Sequence, residues 1–160
     1  MSTSAADVGA VDEYTTAGKF LTFFLDAEEY GLEITKVHEI VGAQPITRLP
    51  RTPDFLRGVI NLRGKIVPVM DLRTRFGMPP AADDSAIIVV QLGDAQIGVT
   101  VDRLSEVLDI PQRDIEPPPN FDHSTDYLLG LAKTDGRVRL LLALDRVLDD
   151  EERRSLVQAA

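Results

Sequence analysis

The chain carries an internal repeat. Tyr30-Gly31 returns as Ile97-Gly98 and Glu39 as Glu106, each 67 positions on. At that offset Val37-His38-Glu39-Ile40-Val41 lies over Leu104-Ser105-Glu106-Val107-Leu108. Further along the offset is 72: Leu56-Arg57-Gly58-Val59 lies over Leu128-Leu129-Gly130-Leu131, and Gly64 over Gly136. An insertion of five residues in the proline-rich stretch between these landmarks accounts for the change. Two copies of a unit of about 60 residues, built from hairpins with a short helix between, satisfy both offsets. A unit that small hides only about 60% of its surface on folding. Two of them gain by docking, and docked barrels leave a groove in which something can bind.

In the first copy, Phe20–Leu25 and Tyr30–Ile34 read as a hairpin across the polar break Asp26–Glu29. Thr35 reads as the N-cap of a short helix carrying Val37, Glu39, Ile40 and Val41. Ile46–Leu49 has the composition of a short strand before Pro50 and Pro53. Leu56–Leu62 and Lys65–Leu72 are predicted strands joined at Arg63-Gly64. The second is apolar throughout, which predicts burial on both sides. Pro68 within it has no N–H for a ladder and is expected on an edge or at a bulge. A helical turn, Leu72–Phe76, stops at Gly77, and Met78–Ser85 reads as a linker.

The second copy predicts strands at Ile87–Leu92 and Ile97–Val101 around Gly93-Asp94, then a short helix with Leu104, Val107 and Leu108 on one face. After Pro117-Pro118-Pro119, Tyr127–Lys133 and Arg137–Leu144 form a hairpin across Asp135-Gly136. The stretch from about Asp145 to Val157 reads as a helix, with Asp149–Glu152 and Arg153-Arg154 on its solvated surface. Met1–Gly18 has no apolar period and reads as a mobile tail. The expected division is a tail over 1–18, a first barrel over about 19–77, a second over about 86–144 and a helix over about 145–157.

With 17 Lys+Arg against 26 Asp+Glu, the formal charge is −9, which argues against a binder of phosphate backbones. The count of cysteines is 0, which excludes disulfides, thiolate metal sites and thiol nucleophiles. No apolar stretch nears the ~18 residues of a membrane span, and no basic-then-apolar leader is present. A cytoplasmic chain without membrane insertion is the expectation. His38 and His123 are the only histidines and fall in different copies. The motifs of nucleophile elbows, phosphate loops and dinucleotide or zinc sites are missing. Asp83-Asp84 lacks the alternating ligands of a calcium loop. Glu39 and Glu106, which pseudo-symmetry could bring together, read as structural or interface residues. An enzyme reading thus finds little support in the sequence, and no metal or cofactor is expected.

One position breaks a local rule. Asp135-Gly136 suits a type I′ turn, whereas the matching slot in the first copy holds Arg63, a poor choice where φ is positive. Either the turn is of another type or the site is functional. Asn61, Arg63 and Lys65 also gather on this hairpin of an acidic chain.

The run Gly58-Val59-Ile60-Asn61-Leu62-Arg63-Gly64-Lys65-Ile66-Val67-Pro68-Val69-Met70-Asp71-Leu72-Arg73 closely resembles the signature of the CheW family. So do Tyr30–Ile34 with Val37–Ile40, Arg48-Leu49-Pro50 with Pro53, Val101-Asp102, Val107-Leu108 and Tyr127–Leu131. The resemblance implies an all-β fold with short helices: two tandem SH3-like five-stranded barrels plus a C-terminal helix. It also implies a chemotaxis adaptor that couples the cytoplasmic tips of methyl-accepting chemoreceptors to the histidine kinase CheA, recruited to membrane-associated arrays. An adaptor of a pathway controlling pili or second messengers is the alternative. Carried over by residue, the receptor-facing groove involves Val37, Glu39, Gly58, Arg63 and Gly64, with Val107 from the second copy. Arg63 would bond receptor groups or orient Glu39. Gly58 and Gly64 would allow close approach, or serve turn and bulge geometry alone. Ile97 and Val99 are the expected contacts with the kinase regulatory domain.

Overall fold

The structure is a computed structural model and describes residues 18–79, 86–118, 127–148, 151–152 and 154. Residues 1–17 of the predicted tail, residues 80–85 of the linker, His123, and residues 149, 150, 153 and 155–157 of the predicted final helix lie outside the described residues. The strands are β1 (Lys19–Leu25), β2 (Glu28–Glu33), β3 (Val37–Gly42), β4 (Leu56–Leu62), β5 (Lys65–Asp71), β6 (Ala86–Leu92), β7 (Ala95–Val101), β8 (Arg103–Asp109), β9 (Ile115–Glu116), β10 (Leu128–Thr134) and β11 (Arg137–Leu142). Single helical turns α1 (Leu72–Arg75) and α2 (Leu144–Val147) follow β5 and β11. Asp71 caps α1 by accepting from the backbone N–H groups of Arg73 and Thr74.

The four hairpins β1–β2, β4–β5, β6–β7 and β10–β11 form as expected. The two predicted helices do not. Val37–Gly42 is a strand after one 3₁₀ turn, and Arg103–Asp109 is a strand as well. Their side chains alternate: Val37, Glu39 and Val41 are half-buried, while His38, Ile40 and Gly42 are exposed. A carboxylate inward and an isoleucine outward disguise a period of two as a helical one.

Five strands form one sheet in the order β3-β6-β7-β5-β4, and six form the other in the order β8-β1-β2-β11-β10-β9. Each sheet closes where the chain that leaves one edge strand pairs at the opposite edge. The chain leaving β3 returns to β4 through the bridge Thr47↔Val59, and the chain leaving β8 returns to β10 through β9. These are SH3-like barrels, and they divide the chain differently from the predicted limits of 19–77 and 86–144. The central barrel takes β3–β7, residues 37–101; the terminal barrel takes 19–33 and 103–142. Each repeat gives its first hairpin to the other repeat's barrel. The parallel ladders show the symmetry: Val69↔Gly98 in the central barrel corresponds to Leu141↔Gly31 in the terminal one. Pro68 lies on an interior strand, neither edge nor bulge, one residue before that parallel ladder begins at Val69, so its missing N–H interrupts nothing there.

The exchange decides where the core sits. Ile87 and Val89 of β6 pack inside the central barrel with Ile60, Val67 and Val69. Their neighbours Ile88 and Val90 turn the other way, into the largest cluster, which holds Phe23, Leu25 and Leu32 of the terminal barrel with Met70, Leu72 and Val99 of the central one. Val67–Asp71 is buried throughout, as the apolar run predicts. A fully buried aliphatic side chain contributes about 1.5–3 kcal/mol, so the shared cluster is what makes two small barrels one stable body.

Polar and aromatic ties cross the same boundary. Rings of Phe23, Tyr30, Phe76 and Tyr127 stack in series with centroids 5.8, 5.9 and 4.7 Å apart. Arg73, after β5, donates through Nε to Asp102 Oδ1 at 2.9 Å and through Nη1 to the Pro79 carbonyl at 2.9 Å. Asp102, where the chain crosses from β7 to β8, also accepts the backbone N–H of Asp26 in the β1–β2 turn. Within the terminal barrel, Glu29 of β2 and Arg139 of β11 form a buried ion pair, Nε to Oε2 3.1 Å.

Candidate protein-interaction site

The β4–β5 turn resolves the question posed by Arg63. Its φ is 54° and that of Gly64 is 86°, beside 54° and 72° for Asp135 and Gly136 in the matching turn. Both are left-handed two-residue turns of the type I′ kind, so Arg63 occupies backbone that favours Gly, Asn or Asp. Asn61 supports the turn by accepting the Gly64 N–H at 2.7 Å.

What holds Arg63 there is Glu39. The guanidinium donates from Nη1 to Glu39 Oε2 at 3.1 Å and from Nη2 to Oε1, a paired fork-to-carboxylate contact between the turn and β3. The hydrogen bond from Arg63 holds the Glu39 carboxyl below its ordinary range, opposed by some desolvation, and the arginine is held more firmly protonated in return. His38 Nε2 lies 3.6 Å from Glu39 Oε1. Arg63 remains mostly exposed, its side chain 68% accessible against 23% for Glu39. Two of its five N–H donors are engaged by Glu39.

Val37 shares the inward face of β3 with Glu39 and packs against the shared core. Gly58 has a different explanation. It sits at a bulge in β4 with φ 145°, and a Cβ there would stand 2.1 Å from the Thr47 carbonyl oxygen. Its repeat counterpart Gly130 has the same constraint, 2.7 Å from the Glu116 carbonyl oxygen. Bulge geometry and closure of the barrel require this glycine whatever binds outside. Gly64, by contrast, faces open space.

Val107 belongs to the other barrel, on edge strand β8, and is 53% exposed. Glu106 is on that strand too, so Glu39 and Glu106 stand in different sheets. Ile97 and Val99 are fully buried on interior strand β7. They are core residues and cannot be contacts for a partner; alternation in a strand buried on both faces gives no sign of which side meets solvent. Sequence reading also missed the Glu29–Arg139 pair. Its only trace is an inverted alternation in Arg137-Val138-Arg139, where Val138 is exposed and Arg139 buried.

A hollow of about 550 Å³ lies away from the Glu39–Arg63 pair, in the terminal barrel, among Phe20, Ile110, Leu129 and Leu141. Among the described residues no group of three or more His, Cys, Asp and Glu is placed to hold a metal ion, and no helix is long and apolar enough to cross a membrane.

Two interlocked SH3-like barrels, with a polar fork on an edge strand of one, place the chain among tandem SH3-like β-barrel proteins. The chain belongs to the CheW family: the family model of the CheW-like domain matches residues 19–152. The Chemotaxis protein CheW of Klebsiella aerogenes is 40% identical over 151 residues, covering 92% of this chain and 91% of that protein. That of Bacillus subtilis is 32% identical over 149 residues, covering 91% and 96%. Among solved structures, the scaffolding protein TtCheW from Thermoanaerobacter tengcongensis superposes with a TM-score of 0.78 at 40% identity, covering 84% of this chain and 94% of that one. The protein is a scaffold of the chemotaxis class.

Proposed function

We propose that this chain is a non-catalytic adaptor that couples chemoreceptor tips to the histidine kinase CheA in cytoplasmic, membrane-attached arrays. The observation that carries the reading is the Glu39–Arg63 fork, kept at the cost of a strained turn within the family signature. A receptor tip is a helical hairpin, and a helix docks by apolar anchors with polar groups fixing its register. In this reading Val37 and, from the terminal barrel, Val107 give apolar contact. Arg63, oriented by Glu39, offers outward N–H donors to receptor carboxylates or carbonyls. Gly64 keeps the turn free of a side chain, and Gly58 shapes the strand beneath. The kinase regulatory domain binds a separate surface, so both partners are held at once.

The test is co-sedimentation of the full chain with a receptor cytoplasmic fragment and CheA together. The reading expects a ternary assembly at micromolar concentrations. Failure of both partners to bind would overturn it.

A further inference from the structure

The loop from β3 to β4 turns at Leu49-Pro50-Arg51-Thr52, where Thr52 Oγ1 donates to the Leu49 carbonyl at 3.1 Å. Proline second and a residue at φ 60° third are the marks of a type II turn, whose third place calls for glycine or asparagine. Arg51 stands there instead. The other described non-glycine residues with positive φ are Asp26, Arg63 and Asp135. Aspartates are ordinary occupants of such backbone, and Arg63 is accounted for by Glu39. Arg51 has no such account: its side chain is exposed and, among the described residues, makes no hydrogen bond or ion pair. The same holds for Arg48.

Between them lies a polar hollow of about 230 Å³, lined by Arg48, Arg51, Thr52, Asp54 and Arg57. Arg57 is committed to the fold, with Nη1 3.8 Å from Asp71 Oδ2. Arg48 and Arg51 therefore present two guanidinium groups unclaimed by the described fold on a chain of net charge −9. The loop enters β4 at Leu56, the end opposite Arg63, so roughly 20 Å of strand separates the two sites.

We infer that Arg48 and Arg51 form a second docking point, which takes an acidic segment of a partner protein. Carboxylates would accept paired N–H bonds from the guanidinium forks over the hollow. The openness of the site favours a protein segment over a free small anion, which needs an enclosing pocket. Several carboxylates on one segment also gain long-range attraction that a single ion does not.

The test uses the full ¹⁵N-labelled chain titrated with a hexaglutamate peptide at about 20 mM and about 200 mM salt. Saturable shifts are expected at Arg48, Arg51 and Thr52, with affinity falling about fivefold or more at the higher salt. Arg51→Gly should lose the peptide while melting no lower than the parent, since glycine accepts φ 60° without strain. Arg48→Gln, which leaves the turn alone, should weaken binding as well. Unchanged binding in Arg51→Gly overturns the inference. So does an equal response to inorganic phosphate, which would mark a free-anion site, or a large fall in melting temperature in Arg51→Gly, which would make Arg51 structural.

Discussion

Arg63 reaches Glu39 across 24 residues of sequence from a backbone conformation that arginine disfavours. Its counterpart in the second repeat is Asp135, at the same φ of 54° and in a turn where aspartate is at home. The two turns share a geometry, and only one of them carries a long cation, which pairs with Glu39 on β3. The difference between the repeats is thus chemical and local, which is the pattern of a site built onto a symmetric frame.

The pair sets a titration. Because the Arg63 hydrogen bond depresses the Glu39 carboxyl, its ionised form is favoured in the fold. A depressed carboxylate contributes stability above its unfolded pKa and loses it as pH falls through the folded value. Carboxyl NMR should place Glu39 below the ordinary glutamate range, and Arg63→Gln should return it toward that range. A Glu39 midpoint indifferent to Arg63→Gln would contradict the fork.

The glycines separate structure from site. Gly58→Ala forces a Cβ against the Thr47 backbone carbonyl and should destabilise by about 3 kcal/mol, the upper range for overpacking. Gly64→Ala meets no neighbour and carries only the left-handed backbone penalty of about 1 kcal/mol. Urea unfolding of the two variants distinguishes them, and equal costs would disprove the bulge argument.

Arg139→Leu leaves Glu29 buried with only Arg137, 3.6 Å away, to answer it. The expected loss is about 3 kcal/mol, the low end for breaking a buried pair. Replacing both partners by Leu should recover most of that loss. A double variant no better than the single one would show that the pair itself, and not the orphaned carboxylate, sets the cost.

Much of this architecture was legible beforehand, and the failures have a shared cause. The repeat, the four hairpins and the left-handed turns follow from apolar runs and turn residues acting over short range. Strand β3 was hidden because Glu39 takes an inward position and Ile40 an outward one, and Arg139 and Val138 invert in the same way. The exchange of hairpins was hidden for a different reason. A repeat tells which segments are equivalent, but β2 fits beside β11 or its equivalent β5 equally well by alternation alone. What differs is that Glu29 finds Arg139 on β11, whereas the corresponding place on β5 holds Val67. Glu39 and Arg63 were both singled out, with Arg63 orienting Glu39 as one of two readings that the family resemblance implies, and the side-chain contact is what selects it.

Tyr30, buried in the aromatic stack, has its phenol pushed up to about 12, chiefly by burial and further by Tyr127 and Glu28. A raised folded value means stability is intact below about pH 10, the unfolded value, and is lost as pH rises toward the folded one. Absorbance titration should show a late phenolate step that Tyr30→Phe removes. Loss of no such step would place the ring in a wetter environment than the stack implies.

The most direct measurement is CheA activity in a reconstituted mixture with receptor fragments, comparing the parent chain with Arg63→Asp. The parent is predicted to bring the kinase under receptor control. Arg63→Asp, which places a second carboxylate beside Glu39, is predicted to weaken receptor affinity by about tenfold or more while still binding the kinase. Receptor control undiminished in a folded Arg63→Asp variant would contradict the account.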